Sequence, residues 1–448
     1  MKKPVSRREF IVGASAAGTV LAAAGKARAA QAKLKPAILG GPKAHPESFP
    51  GWPVYDETDE QALLEALRSG GWFRRNGKKV EGFEAKFAEL NGAAHCLATS
   101  CGTTALTAAI GALDIGPGAE VIVPPYTFVA TYNCVTAHHA LPVFVDTDRA
   151  SFQIDAEKIE SAITPETRAI LPVHIGGSPS NMDRIMQIAD EHRLPVVEDA
   201  CQAHMGEWRG KKLGTIGLAG CFSFQASKNL TSGEGGAVLT DDEQFHQACY
   251  NFHYQGRADE LSGDNWSSRG TRGLNLRLCE FQGSVLLSQM LRLEKQAARR
   301  SKNAALLTEY FSAIPGVESA KLYEGTTASA WHLYMFRFDK EQFAGMNRGQ
   351  FIKALSAEGI PASSGYRPLN RGDYVKGLAS NRHYRRIYGE KRMAQWLEST
   401  LSCPENDKVC EEAVWFTQNM LLGESGNMRK IAEAVENIHA HASEIAKT

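Results

Sequence analysis

Residues 221–236 read CFSFQASKNLTSGEGG. An apolar, strand-like run leads to Lys228, and a turn rich in glycine closes the stretch. A surface lysine ordinarily has charged or polar company. Lys228 instead sits among apolar, small and turn-forming residues, with Ser223 five positions before it. Apolar surroundings disfavour the ammonium form, and the amine that results is a nucleophile for a carbonyl.

Working outward from that lysine, the chain alternates two periods. Apolar residues recur at helical spacing in DEQALLEALRSG (59–70) and in KVEGFEAKFAELNG (79–92), the latter closed by Asn91-Gly92. AAHCLATS, EVIVPP, LPVFVDTD, RAILPVHI and LPVVEDA read as short strands. CGTTALTAAIGALDIG, TFVATYNCVTAHHA, DAEKIESAI and NMDRIMQIADEHR fall between them as helices. Strand–helix–strand units in succession predict an α/β fold with a mostly parallel central sheet flanked by helices. CFSFQ and GAVLTDD add further strands, and the long helical stretch 280–314 leads out of the first domain. ASAWHLYMFRF (328–338) alternates like a strand, whereas GQFIKALSAEGI and the tail from Met428 read as helices, so a smaller α+β domain is expected at the C-terminus. The boundaries expected are 1–30 for a leader, 31–302 for a large domain with an N-terminal arm, and 303–448 for the small domain.

The leader, SRREFIVGASAAGTVLAAAGKARAA (6–30), joins the pair Arg7-Arg8 to a short alanine-rich apolar run and an Ala27-Arg28-Ala29 cleavage pattern. This reads as a twin-arginine export signal rather than an amphipathic helix or membrane anchor, because the apolar run is short and alanine-rich, and it predicts a periplasmic or exported mature protein. No later stretch is long enough to span a bilayer. The 448 residues carry 50 basic and 50 acidic side chains, so no general electrostatic attraction to nucleic acid or to an anionic membrane is expected. Nine cysteines lack any C-x-x-C spacing, which argues against structural zinc; most read as buried thiols, and Cys403 and Cys410 could pair in an oxidising compartment.

In an open parallel sheet, ligands bind at the carboxyl ends of the strands. TSCGTTAL passes from strand to helix through Gly102, where free N–H groups and the hydroxyls of Thr103 and Thr104 can meet an anion, or where Ser100 or Thr103 caps the helix. VVEDACQAH ends a strand on Glu198-Asp199, a buried carboxylate that needs a partner. PPYTFVA sets Tyr126 and Phe128 at a third strand end, as core or as a flat face for a ligand. An amine, an anion cradle, a buried carboxylate and an aromatic together suit pyridoxal 5'-phosphate. The lysine would hold it as a Schiff base, the helix N-terminus its phosphate and the carboxylate its ring nitrogen.

The stretches FSFQASKNLTSGEGGAVLTDD, VEDACQAHMGEWRGKKLGTIG, SCGTTAL and LNLRLCEFQGSVLLSQMLRLE resemble the DegT/DnrJ/EryC1/StrS aminotransferases, fold-type-I pyridoxal-phosphate enzymes acting on keto-sugars. FPGWPVYD, SGGWFRRNGKKVEGFEAKFAELNGAAH and VWFTQNMLLGE are similar to the branch holding 3-amino-5-hydroxybenzoate synthase and glutamine:scyllo-inosose aminotransferase. The resemblance implies Lys228 as the Schiff-base lysine and Asp199 as partner of the pyridine nitrogen. It implies Gln202 near the ring hydroxyl, Phe128 stacked on the ring, and Gly102, Thr103 and Ser223 at the phosphate. It further implies that Asn275 reaches the cofactor of a neighbouring subunit, hence a homodimer. The activity implied is transfer of an amino group from glutamine or glutamate to a keto-sugar or keto-cyclitol. Alternatives are a cofactor-binding protein without transamination and a dehydrating enzyme like the aminohydroxybenzoate synthases. A nicotinamide-dependent oxidoreductase would need a G-x-G-x-x-G turn after an early strand, and the chain has none. Cys101 and Gln225 stand where the wider family often has Asn and His, and Lys228 stands where the family's sugar dehydrases have His.

Overall fold

The computed structural model describes residues 34–256 and 272–448, so the expected leader, with its export signal, lies outside the described residues. Seven strands carry the first lobe: β1 (His95–Thr99), β2 (Glu120–Val123), β3 (Leu141–Phe144), β4 (Thr167–Ile170), β5 (Val197–Asp199), β6 (Ala219–Ser223) and β7 (Gly236–Thr240). Pairings run β3-β2-β4 and β5-β6-β7-β1, and parallel bridges Ile170–Val196 and Val173–Asp199 join the two sets. All contacts are parallel except those of β7, which runs against both β6 and β1. The sheet is therefore mostly parallel, as the alternation predicts.

Successive strand residues face opposite sides, and both sides are covered. On one side, Ala98, Ile122, Ile170, Phe222 and Leu239 meet helices α2 (Lys79–Asn91), α5 (Met182–His192) and α7 (Glu280–Phe311). On the other, Leu97, Val121, Ala169, Cys221 and Val238 meet α3 (Gly102–Ala112), α4 (Ala130–Ala137) and α6 (Glu243–His253). The remaining early helix, α1 (Glu57–Ser69), begins with a capping box in which Asp56 and Asp59 each accept from the other's end of the turn. DAEKIESAI forms two 3₁₀ turns, Ala156–Lys158 and Glu160–Ala162, in place of the expected α-helix. The segment is short, and Pro165 biases Thr164 out of the helical region.

The second lobe centres on antiparallel strands β8 (Val317–Ser319), β9 (Leu333–Phe338) and β10 (Ala413–Thr417), in that spatial order, packed against α8 (Arg348–Ala357) and further C-terminal helices. The expected boundary at 303 falls inside α7, whose first half packs in the large-lobe core and whose last turns pack in the small-lobe core. The chain also returns: Val375, Tyr384, Met393 and Trp396 belong to the large-lobe core, the last two on α9 (Glu390–Leu401). Trp396 is fully buried and donates its indole N–H to Pro142 O at 2.7 Å, fastening α9 to β3. The final long helix, α10 (Ser425–Ala440), packs along α7.

All nine cysteines are free thiols, Cys403 and Cys410 included. Truncating Trp396 to Ala removes a large buried ring and leaves the Pro142 carbonyl unsatisfied, so chemical denaturation should show a loss of about 3–5 kcal/mol.

Candidate active site

The carboxyl ends of β5 and β6, the N-terminus of α3 and the edge of the small lobe enclose a cavity of about 1200 Å³. Seven of the eight residues expected at the site line it: Gly102, Thr103, Phe128, Asp199, Gln202, Ser223 and Lys228. Asn275 does not; it is exposed and bridged to Tyr254.

Adjacent strand residues diverge, and β5 uses this to give two carboxylates two fates. Glu198 turns away from the cavity, accepting from the N–H groups of Gly214, Ile216 and Gly217 at 2.7–2.8 Å and meeting His174 Nε2 at 2.9 Å. Asp199 faces the cavity. The Thr131 hydroxyl donates to its Oδ2 at 2.8 Å and the Cys201 N–H to its Oδ1 at 3.2 Å. Gln202 is pinned at both ends of its amide, accepting from Gly176 N at 2.7 Å and donating to Tyr366 OH at 3.0 Å.

Helix α3 points its first turn at the cavity. The Thr104 hydroxyl accepts from Cys101 N at 2.9 Å, so Cys101 is the cap residue and neither Ser100 nor Thr103 fills that role. The N–H groups of Gly102 and Thr103 belong to the turn that an α-helix leaves without internal partners. Gly102 is packed closely: a Cβ there would lie 2.6 Å from Ser223 Cβ and 2.9 Å from Cys201 Sγ. Of the two aromatics at the end of β2, Tyr126 is buried in a core cluster, whereas Phe128 lines the cavity and is 56% exposed. A planar ligand therefore has an open ring face to lie against.

Lys228 is half-buried in the cavity wall. Desolvation lowers its pKa, opposed by the Cys201 thiol and by Asp199. Burial, reinforced by Asp199, pushes the Cys201 thiol well up, which keeps it protonated and leaves the lysine as the nucleophile. Behind the lysine, His204 is buried between Phe222 and Phe224 with neither ring nitrogen hydrogen-bonded. Burial, then the charges of Lys228 and Arg300, lower its pKa to about 3.

A phosphorylated pyridine aldehyde suits these residues: donor N–H groups and Ser223 for the phosphate, Asp199 for a ring N–H, Phe128 for the ring face and Lys228 for the aldehyde. Local sequence signals miss a second set of cavity residues. Trp52 and Pro53 come from the N-terminal arm, His332 and Leu333 from the start of β9, Tyr366 from the loop after α8, and Trp415, Thr417, Gln418 and Asn419 from the end of β10 and just beyond it. The only sequence signal touching them is the likeness of FPGWPVYD and VWFTQNMLLGE to one branch of a family.

Fold and site define a fold-type-I pyridoxal-phosphate transferase. The profile of the DegT/DnrJ/EryC1/StrS aminotransferase family matches residues 54–415, and the chain belongs to that family. It is 33% identical over 396 residues to the 3-amino-5-hydroxybenzoate synthase of Amycolatopsis mediterranei (strain S699), covering 88% of this chain and 98% of the relative. It is 34% identical over 424 residues to the L-glutamine:scyllo-inosose aminotransferase of Streptomyces griseus, covering 92% and 99%. The crystal structure of a 3-amino-5-hydroxybenzoic acid synthase superposes with a TM-score of 0.78 at 32% identity, over 88% of this chain and 99% of that one. The protein is an aminotransferase and its cofactor is pyridoxal phosphate.

Two outcomes test this geometry. Gly102→Ala forces a methyl group into the cradle, and equilibrium titration of the apoprotein should show cofactor binding at least about tenfold weaker. The folded chain holds His204 neutral, whereas the unfolded chain protonates it near the ordinary 6.5. Stability from this residue is therefore complete above pH 6.5 and falls on acidification until about pH 3. His204→Phe should flatten the acid limb of the stability profile by about 1.4 kcal/mol per pH unit between pH 6 and 4, read from urea midpoints.

Proposed function

We propose that the protein moves an amino group from L-glutamine or L-glutamate to the ketone of a sugar or cyclitol. The observation that carries this reading is a half-buried Lys228 in the same cavity as Asp199, with its amine favoured by desolvation. Relatives named as glutamine-dependent aminotransferases of scyllo-inosose and 2-deoxy-scyllo-inosose support the choice of donor and acceptor.

When bound, the cofactor supplies an aldehyde that condenses with primary amines and a ring that takes up the electron pair left by a lost α-proton. Lys228 would hold that aldehyde and would be released when the donor's nitrogen takes its place. Its freed amine would be placed to take the proton from the donor's α-carbon as a base and to return it, as an acid, to the carbon that had been the aldehyde's. Desolvation suits the amine to the first step. Asp199, held in place by Thr131 and the Cys201 N–H, would accept from the N–H of the pyridine ring. Gln202, clamped between Gly176 and Tyr366, offers a fixed wall beside the ring. The first-turn N–H groups of α3 and Ser223 would hold the phosphate and so set the cofactor's register in the cavity.

Two further parts of the proposal concern assembly and place. Asn275 is exposed and outside its own chain's cavity, which suits a contact with a second copy and hence a homodimer with shared sites. The paired arginines and A-x-A pattern of residues 6–30 support twin-arginine export to the periplasm.

Borohydride treatment of the holoprotein should fix the cofactor's mass on the peptide bearing Lys228. Glutamine or glutamate should then shift the absorbance of untreated protein from the aldehyde to the amine form, and a keto-cyclitol should reverse it. Lys228→Ala should lose turnover by at least about a thousandfold. A mutant of normal activity, or a product that has lost water, would refute simple transfer through this lysine.

A further inference from the structure

We propose that Arg300 and Gln418 form the element that recognises the carboxylate of the amino donor, an inference that rests on the aminotransferase reading above. Arg300 lies on α7 and is fully buried. Its Nε and Nη2 both donate to Gln418 Oε1, at 2.9 and 2.6 Å. Nη1 has no partner, and the guanidinium carbon stands 5.2 Å from the centroid of the Trp52 ring. Burial lowers the guanidinium pKa to about 9 with no acid opposing it, so a charged group remains at neutral pH.

An amide has one accepting end and one donating end. Two guanidinium donors occupy the oxygen of Gln418, which settles the orientation: the NH₂ group is the end turned to the cavity that Gln418 helps line. A cation bound to the amide oxygen polarises that NH₂ into a stronger donor. A buried cation lacking a counter-charge is costly, and a ligand that brings a negative charge to this wall offsets the cost.

The opposite requirement appears beside Gln418 at His332, which directly precedes Leu333, the β9 partner of Thr417. Asn229 Nδ2 donates to Ala330 O at 2.7 Å, so its Oδ1 is the atom 3.2 Å from His332 Nδ1, and Nδ1 must carry the proton. That leaves Nε2 of a neutral imidazole as an acceptor, because burial, with the charges of Lys228 and Arg300, keeps the ring unprotonated. A carboxylate is repelled there and welcomed at Gln418. Of the two substrates, the amino acid carries an α-carboxylate and the keto-cyclitol carries none; the phosphate is met by α3. Gln418 is thus the specificity residue and Arg300 its positioning residue.

Tryptophans 52 and 415 line the cavity, so fluorescence of the holoprotein reports binding. The probes are L-glutamine and 4-aminobutanamide, the same molecule without its carboxylate. Wild-type protein should bind glutamine at least tenfold tighter. Gln418→Glu gives Arg300 an ion pair and removes the donor, so its unfolding midpoint should equal or exceed the wild-type value while the preference disappears. Arg300→Gln, which frees the amide to rotate, should reduce the preference without abolishing cofactor binding. Equal affinities in the wild type, or a retained preference in Gln418→Glu, would overturn the assignment. Cofactor absorbance in the same cuvette keeps the two readings apart: glutamine binding without a spectral change would refute amino transfer and leave carboxylate recognition standing.

Discussion

The Glu198 carboxylate holds the rest of the site in place. One oxygen accepts from Ile216 and Gly217, and the other accepts from Gly214 and meets His174, so a single buried anion ties the end of β5 to the turn that launches β6. Lys228 lies only a few residues beyond β6 and Asp199 directly follows Glu198. The spacing between amine and acid is therefore set by an interaction that faces away from both. A buried carboxylate is tolerable only when its lone pairs are filled, and here four donors fill them. The neighbouring carboxylate, with two donors, keeps capacity for a ligand.

That division also explains the contrast between cavity and support. Donors on the floor are backbone N–H groups at α3, which cannot rotate away. Gln202, Asn229 and Gln418 are amides locked at one or both ends by protein partners. Little has to be ordered when a ligand arrives, and preorganised donors of this kind are worth more than the same groups free to turn. Phe128, the one large exposed aromatic of the cavity, is the exception, and its open face is the part a planar ligand or a neighbouring chain would cover.

Much of this was legible in residue order, for identifiable reasons. Strands of the central sheet are short apolar runs buried on both faces, and the helices between them carry a regular period, so local pattern and final structure agree. Gly102, Thr103, Phe128 and Asp199 were readable as candidates because they sit at strand ends, where fold class alone predicts ligands, whereas Gln202 and Ser223 came with the family resemblance. What local pattern could not carry is the wall built from Trp52, His332, Tyr366 and Gln418, segments hundreds of residues apart that only tertiary contact unites. The same holds for α9, whose amphipathic face gives no hint that Trp396 is meant for β3 rather than for the small lobe around it. The 3₁₀ turns at 156–162 show the converse: a helical pattern overruled by length and a downstream proline.

The N-terminal arm brings Trp52 and Pro53 to the cavity, yet its moorings lie far along the chain. Glu358 accepts from the N–H groups of Ala37 and Ala44 at 2.7 and 2.8 Å, and Asn419 donates to Pro50 O at 2.8 Å. This segment precedes its partners by 314 to 369 residues, so it leaves the ribosome long before it has anywhere to dock. Maturation of the pocket is therefore a late event: a nascent chain can assemble its central sheet and still lack a finished binding chamber.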